Sequence, residues 1–541
     1  MNQVFSPVTQ CGKFKIRSSE HQLRKLILWG LTSFTLIGAG GIQAARAKPN
    51  IIYILCDDLG YGDVKCLNTQ GKIATPNLDK LAAGGMIFSD MHSSSSVCTP
   101  SRYSIMTGRY CWRTRLQNGV LDGLSSHLIE DGRMTVADLL QQHGYATACI
   151  GKWHLGMNWP QKNEISTLGN ESSEQASEVD FTKLIRHGPN TVGFAYYFGI
   201  SASLDMAPYT FIENDHVTVQ PSENRKLPIM AGRTQEYTRQ GPAAPGFTGY
   251  EVLPTLTQKV LEYLAQHAIV AKKGKPFFIY MPLNAPHTPI LPTAEWLGKS
   301  GLNPYGDFVM ETDHEIGRVM AELEKQGIAD NTLIIVTSDN GCSHLAKFDE
   351  FAAKGHNPNY HFRGHKSDIF EGGHRIPFIA SWPAQVKPGS SSNQLLCLGD
   401  FMATAAQLIG AKLPANAAED SVSFLPALLG KAPTPLRDSM VQHSFYGSFS
   451  IRQANWKLEF TPSSGGWGEP VPRSAKAAKL PPIQLYDLDT DIGEQHNLQA
   501  EHPEMVARLT HLLEKLVADG RSTQGPKQPN DVPIDIWKAA N

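Results

Sequence analysis

The chain has 541 residues, 41% of them apolar and 18% charged, with 47 glycines and 35 prolines. That mixture suits a globular protein with extensive loops, of a length that holds about two to four ordinary units or one oversized α/β unit with a companion. The net charge is −2, without a long Lys/Arg run, a paired Cys–His finger or aromatic–basic interleaving, which excludes nucleic-acid binding and leaves any anionic ligand to a local basic cleft.

In chain order, Arg24 and Lys25 precede an apolar stretch from Leu26 to about Gly38, and Ala45-Arg46-Ala47 offers small residues at signal-peptidase spacing. The stretch is short for a membrane span, so residues 1–47 read as a signal peptide. The mature protein is then periplasmic or secreted, with no membrane attachment after cleavage. Residues 1–47 carry six basic residues and one acidic one, so their removal leaves a net charge of about −7. Eight cysteines are present, seven of them beyond Cys11, and an odd number in an oxidising compartment predicts at least one free or special cysteine.

The mature chain opens on a short apolar run, residues 51–56, that stops at Asp57-Asp58. Similar runs recur at 146–150, 277–281, 333–336 and around 378–382, with helical patterns at 135–143, 255–269 and 312–325. Short β-rich runs alternating with helices predict an α/β fold, a large mainly parallel sheet flanked by helices. Asp57-Asp58, Lys152 with His154, His287, and Asp339-Asn340 each follow one of these strands, and ligands of open α/β sheets sit outside the carboxyl ends of the strands. Residues 160–250 are rich in Gly, Pro, Asn and aromatics and read as excursions over the sheet rim, with 164–180 especially polar. Past Leu429, short antiparallel strands are expected at 440–445, 449–452, 456–460 and 484–487, followed by a helix at 503–518. The division expected is 48–430 for a catalytic domain, 431–520 for a smaller C-terminal α+β domain on an antiparallel sheet, and 521–541 for a surface-clinging tail.

The most informative stretch is Cys98-Thr99-Pro100-Ser101-Arg102, followed by Thr107-Gly108-Arg109. It resembles the C-x-P-S-R core of the formylglycine-dependent sulfatases, a family with an alkaline phosphatase/sulfatase-like fold. The resemblance implies that Cys98 is oxidised to formylglycine (3-oxoalanine) before folding is complete, by a formylglycine-generating or anaerobic sulfatase-maturating enzyme. An aldehyde hydrates to a diol, of which one hydroxyl attacks sulfur and the other expels sulfate by re-forming the aldehyde; a thiol has no such exit. Pro100 suits the first turn of a helix whose free N–H groups face an oxyanion.

The same resemblance runs from Ile52 to about Pro383. It implies a metal held by Asp57, Asp58, Asp339 and Asn340 together with the modified Cys98. Oxygen ligands without imidazole or thiolate suit a hard cation; residue type alone allows calcium or magnesium, and the resemblance favours Ca2+. Arg102 is implied to steady the hydrated aldehyde. Lys152, in the G-K-W-H-L-G segment, would meet sulfate oxygens, and His154 would accept a diol proton. His287 of Asn284-Ala285-Pro286-His287 and Lys366 of Arg363-Gly364-His365-Lys366 share the contact with the leaving group, with the acid unassigned between them. Asp339 doubles as the base for the diol.

The substrate implied is a sulfated polysaccharide or oligosaccharide, with carrageenan-type galactans and glycosaminoglycans both open. Gly193 to Gly199 and Ser203-Leu204-Asp205 resemble elements of carbohydrate sulfatases, and Asp205 either bonds sugar hydroxyls or caps a turn. His344, His356, His361 and Arg363 are either saccharide or second-sulfate contacts or loop packing, and Tyr446 and Trp467 either stack on sugars or join the core. A phosphonate or phosphodiester hydrolase on the same core, and a non-catalytic sulfated-glycan-binding protein, are the alternatives. Oligomeric state is open.

Overall fold

A computed structural model describes residues 48–162, 178–432 and 435–538. The signal-peptide segment 1–47 lies outside the described residues, as does most of the polar stretch 164–180.

The strand Asn50–Cys56 is buried at every residue. Alternate side chains feed two different cores: Ile51, Tyr53 and Leu55 enter one, and Ile52, Ile54 and Cys56 the other. A strand with two apolar faces requires cover on both sides of its sheet. Helices Cys98–Thr107, Val136–Gln142 and Phe401–Ile409 supply the first core, and Val252–Ala271 and Pro304–Lys325 the second.

Asn50–Cys56 lies between Phe277–Pro282 and Thr332–Ser338, parallel to both, with Ile52 opposite Ile279 and Ile334. Ala146–Lys152 extends the parallel set beyond Phe277–Pro282, and Tyr196–Ile200 beyond that. Phe378–Ser381 runs antiparallel beside Thr332–Ser338 and leads to Met86–Phe88 and Ser390–Ser392; Ile212–Glu213 and His216–Val217 finish the other edge. The expected parallel sheet is therefore a ten-stranded mixed one with a parallel centre. Helix Pro304–Lys325 begins two turns before its expected start. Asn303 caps it, accepting from the N–H groups of Tyr305 and Gly306 at 3.0 and 3.3 Å, with Pro304 in the first turn.

The second sheet, Ser439–His443, Phe449–Gln453, Trp456–Glu459 and Gln484–Asp487, is antiparallel throughout. Helix Pro503–Asp519 covers it with Leu509, Leu513 and Leu516, which share a core with Trp112 and Ile536. Gly520, at φ 65°, ends that helix in the left-handed conformation that glycine adopts without strain. The final segment is tied down by Asp531, which takes both terminal nitrogens of the buried Arg109 at 3.1 and 3.0 Å. Where the two sheets meet, Ser96 donates its N–H to the carbonyl of His443 and Phe445 donates its own to the carbonyl of Ser367, so the second sheet overhangs the first helix of the motif. Among the described residues no helix is long and apolar enough to cross a membrane, and all seven cysteines are free.

Candidate active site

Three central parallel strands and their neighbour end on one edge, and the side chains that follow them converge. Asp57 and Asp58 extend Asn50–Cys56; Asp339 and Asn340 extend Thr332–Ser338; Lys152 closes Ala146–Lys152; His287 follows Phe277–Pro282. Cross-strand backbone bonds fix these ends against each other: the Asp57 N–H donates to Ala285 O at 3.0 Å and the Asp339 N–H to Cys56 O at 3.1 Å. Asp58 takes φ 64°, a left-handed conformation that aspartate tolerates better than most residues, and its N–H donates to Asp339 Oδ1 at 3.3 Å.

Cys98 is the first residue of the helix Cys98–Thr107. Its Sγ lies 3.6 Å from Asp57 Oδ1. Arg102, one turn on and fully buried, donates to Asp339 Oδ2 from Nε and Nη2 at 3.1 and 2.8 Å and lies 3.3 Å from Asp57 Oδ2. Lys152 bonds Asp57 Oδ2, and Lys366 meets both oxygens of Asp58 at 2.8 and 3.0 Å. His287 Nε2 lies 3.7 Å from Asp58 Oδ2. Three carboxyl groups and three basic side chains thus face one another, all buried.

Burial raises the Asp58 carboxyl to about 7, with Lys366 opposing and Asp57 and Asp339 adding to the rise. Asp57 resists the same burial because Lys152 and Arg102 hold it well below the carboxylate range. Burial also raises the Cys98 thiol, so the unmodified side chain is a thiol and not a ready thiolate. Lys366 overcomes burial through Asp58 and stays firmly protonated. Burial, then Lys366, holds His287 neutral; burial, then Lys152 and Arg102, does the same for His154.

The oxygen set fits a hard cation on two observations. Asn340 donates Nδ2–H to Asp58 Oδ1 at 2.7 Å, which leaves its own Oδ1 buried with no hydrogen-bond partner. Asp57, Asp58, Cys98 and His287 each bring one ligand atom within 4.8 Å of the others. A buried acceptor without a donor, beside carboxylates already crowded by one another, is what calcium coordination relieves.

A cavity of about 200 Å³ opens over Cys98, lined by His154, Asp205, Arg239, His287, Lys366 and Trp467 among others. His154 Nε2 donates to the Leu121 carbonyl at 2.8 Å, so its Nδ1 carries the lone pair, and that atom is buried without a partner. Asp205 Oδ1 is likewise buried and unpartnered, and burial raises its carboxyl.

Every residue expected at the catalytic or metal positions is therefore in one place. The peripheral expectations divide. Trp467 lines the cavity, and His344 stands beside it with ring centroids 5.5 Å apart. His356 is locked instead: Nε2 meets Asp63 at 2.9 Å and Nδ1 accepts the Lys72 N–H at 3.2 Å, so it packs a loop. Arg363 bonds the Tyr486 hydroxyl and stacks on Phe370, tying the two sheets together. His361 packs on Tyr360 and Phe362, and Tyr446 lines a separate hollow with Arg473 and Lys538. Arg239 and Phe445 had no sequence signal, because they reach the cavity from an irregular stretch and from the overhanging sheet.

The sulfatase family model matches residues 49–411. An N-acetylgalactosamine-6-O-sulfatase of Bacteroides thetaiotaomicron is 34% identical over 502 residues, covering 87% of this chain and 93% of its own. Human arylsulfatase A is 31% identical over 526 residues, covering 92% and 93%. A solved sulfatase structure from the glycosaminoglycan metabolism of B. thetaiotaomicron superposes with a TM-score of 0.73 at 33% identity, covering 87% of this chain and 99% of that one. The chain belongs to the sulfatase family and is a sulfuric ester hydrolase whose cluster is a calcium–formylglycine site.

Proposed function

From that membership, we propose that the protein hydrolyses sulfate monoesters on a carbohydrate, with residue 98 as nucleophile, and that the sugar is an amino-hexose of glycosaminoglycan type. The observation that carries the reaction is that Cys98, which lines a small cavity, meets the buried Asp57 and Asp58 beside Asp339 and Asn340. The 34% identical N-acetylgalactosamine-6-O-sulfatase supports the choice of sugar over a galactan.

Asp57, Asp58, Asp339 and Asn340 would hold calcium together with the side chain at 98. When bound, calcium supplies positive charge to orient a sulfate and lower the proton affinity of a coordinated hydroxyl. A formylglycine at 98 supplies a hydrated aldehyde. The side chains around it then have distinct work. Arg102 and Lys152 hold Asp339 and Asp57 in place against their mutual repulsion. His154 is set by Leu121 to accept at Nδ1, which makes it the group to take a proton from residue 98. His287 donates Nδ1–H to the Thr288 carbonyl, so its neutral ring has no proton at Nε2 to give. Lys366 keeps its proton, and we assign it as the acid for the departing sugar oxygen, with His287 as a sulfate contact. Asp205 and Trp467 supply a hydrogen-bond acceptor and an aromatic face for the sugar.

The motif is closed to solvent, with Cys98 2% and Arg102 0% exposed, so a maturating enzyme must act before the helix packs. We assign that partner as a formylglycine-generating or anaerobic sulfatase-maturating enzyme, and the compartment as periplasmic or extracellular.

The test is sulfate release from 6-sulfated and 4-sulfated N-acetylgalactosamine and from a sulfated galactan oligosaccharide, with matched aryl sulfate and aryl phosphate alongside. Release from the aminosugar above the galactan supports the assignment. Turnover of galactan alone removes the sugar class, and faster phosphate turnover removes the reaction.

A further inference from the structure

A second cluster stands outside the Cys98 cavity, where the turn 126–131 meets the stretch 178–192. His127, Asp131 and His187 each offer one ligand atom within 4.8 Å of the others. The two imidazoles are stacked, with centroids 4.4 Å apart and 19° between their planes.

The neighbours of His127 decide which of its nitrogens is free. Its backbone N–H donates to Asn158 Oδ1 at 3.2 Å, which identifies that end of the amide as the oxygen. The same oxygen lies 2.9 Å from His127 Nδ1, and an amide oxygen only accepts, so Nδ1 carries the proton. In the tautomer with that single proton Nε2 is the lone pair, and it faces Asp131 Oδ1 at 3.7 Å. His187 Nδ1 faces that same oxygen at 3.4 Å. A lone pair opposite a carboxylate oxygen is repulsive unless a cation or a proton lies between them.

The spacing suits a metal. Ligand bonds of about 2.0–2.2 Å in a tetrahedral set put neighbouring ligand atoms about 3.3–3.6 Å apart, close to both separations from Asp131, and capture of one ion turns one imidazole out of the stack so that both in-plane lone pairs meet it. Two imidazole nitrogens and one carboxylate oxygen select a first-row divalent ion such as zinc, whereas calcium prefers an all-oxygen shell. Metal-binding histidines ordinarily hand their second nitrogen to a carbonyl or carboxylate oxygen, which is what Asn158 receives here. The scaffold is also indexed to that residue: Asn158 and Arg186 exchange backbone hydrogen bonds at 2.7 and 2.9 Å. His187 follows at once, held at φ 51°, a left-handed conformation uncommon for a side-chain-bearing residue. The Asp131 side chain is 82% exposed, so an ion reaches the cluster from solvent.

We propose that His127, Asp131 and His187 form a zinc-class divalent metal site, separate from the oxygen-lined catalytic cluster, that clips the 178–192 stretch to the 126–131 turn. Asn158 is its positioning residue. The test uses untagged, calcium-saturated protein, so that the catalytic ligands are filled, equilibrated with limiting Zn2+ and analysed for metal content. Wild type is expected to hold one zinc equivalent more than H127A/H187A, whose calcium-dependent turnover confirms its fold. Co2+ gives a visible d–d band in the wild type that the double variant loses. Asn158→Ala keeps the equivalent at saturation but weakens it about 10- to 100-fold. Equal zinc contents in wild type and double variant overturn the site and identify a proton as what separates His127 from Asp131; an unchanged affinity in Asn158→Ala overturns the positioning role.

Discussion

Two of the knots of buried charge among the described residues are made of similar parts. Around Cys98, three carboxylates face Arg102, Lys152 and Lys366. Below the second sheet, Glu371, Glu459 and Glu494 face the ammonium of Lys457 at 3.2, 3.3 and 2.7 Å, and all four side chains are fully buried. The second knot even contains a metal-like trio, His92, Glu371 and His374. There, however, Lys457 already bonds Glu371, His374 Nε2 and the Ile369 carbonyl, so an internal cation stands where an ion would go. In that knot Glu459 Oε1 lacks a hydrogen bond but lies 3.3 Å from the Lys457 ammonium; in the Cys98 knot Asn340 Oδ1 and His154 Nδ1 have no partner, and His154 and Cys98 line a cavity. Burial and charge density mark both regions, while an internal cation fills the second and a cavity opens onto the first.

The sharpest break in that comparison is at Cys98. A Cys98→Ser protein is expected to keep its fold and lose turnover by at least ~10⁴-fold, because the variant has no hydrated aldehyde to release sulfate. Intact mass of the wild type should be lower than the encoded chain by about 18 Da, the signature of cysteine converted to formylglycine. Substantial turnover by the serine variant contradicts the nucleophile. Next in size is Lys457→Met, which strands three buried carboxylates and should destabilise the fold by ~3–5 kcal/mol in denaturant unfolding. Lys366→Met sharpens the contrast from the other side. It removes one partner of Asp58 in a cluster that calcium also serves, so stability in calcium should hold while kcat falls ~10²–10³-fold. The deficit should shrink for substrates with a good aryl leaving group, which needs no proton; an undiminished deficit would move the acid to another residue.

How much of this was legible in the sequence follows from how local each feature is. The parallel centre of the sheet could be read because each strand is a run of adjacent apolar residues, and the catalytic cluster because each strand delivers its polar residues within a few positions of its end. Helix Pro304–Lys325 was half-read, since Tyr305-Gly306-Asp307 interrupt the apolar period although Asn303 and Pro304 are ordinary start signals. The Lys457 knot could not be read. Its partners sit on the short helix Glu371–His374, on the strand ending at Glu459 and on the loop bearing Glu494, and only the packing of the second sheet brings them together. The cavity wall was opaque for the same reason: Arg239 is fixed by Asp122 and Phe445 by the backbone of Ser367, contacts between distant segments. For His356 and Arg363 both roles stayed open because nearness to the strand end does not set direction; their side chains turn inward to Asp63 and Tyr486.

The smallest effect tests the seam between the two regions, at His443. Its backbone joins them, accepting from the Ser96 N–H at 3.2 Å and donating to Ser94 O at 3.3 Å. Its imidazole contributes nothing comparable: both nitrogens are buried without partners, and burial, helped by Lys538, pushes its pKa down to about 3. An unfolded histidine titrates near 6.5, so between about pH 6.5 and 3 the unfolded chain binds a proton that the fold refuses. Stability then falls as pH falls through that window, by about 1.4 kcal/mol per pH unit for this one group. Buried His92 and His374, also shifted down by burial, add to the same acid limb. His443→Leu keeps the two backbone bonds and removes the refused proton. Denaturant unfolding at pH 7 and pH 5 should show the acid slope reduced by that one increment, with stability at pH 7 held or raised and turnover unchanged. An unaltered slope would mean that His443 is protonated within the fold and that the seam is held by charge.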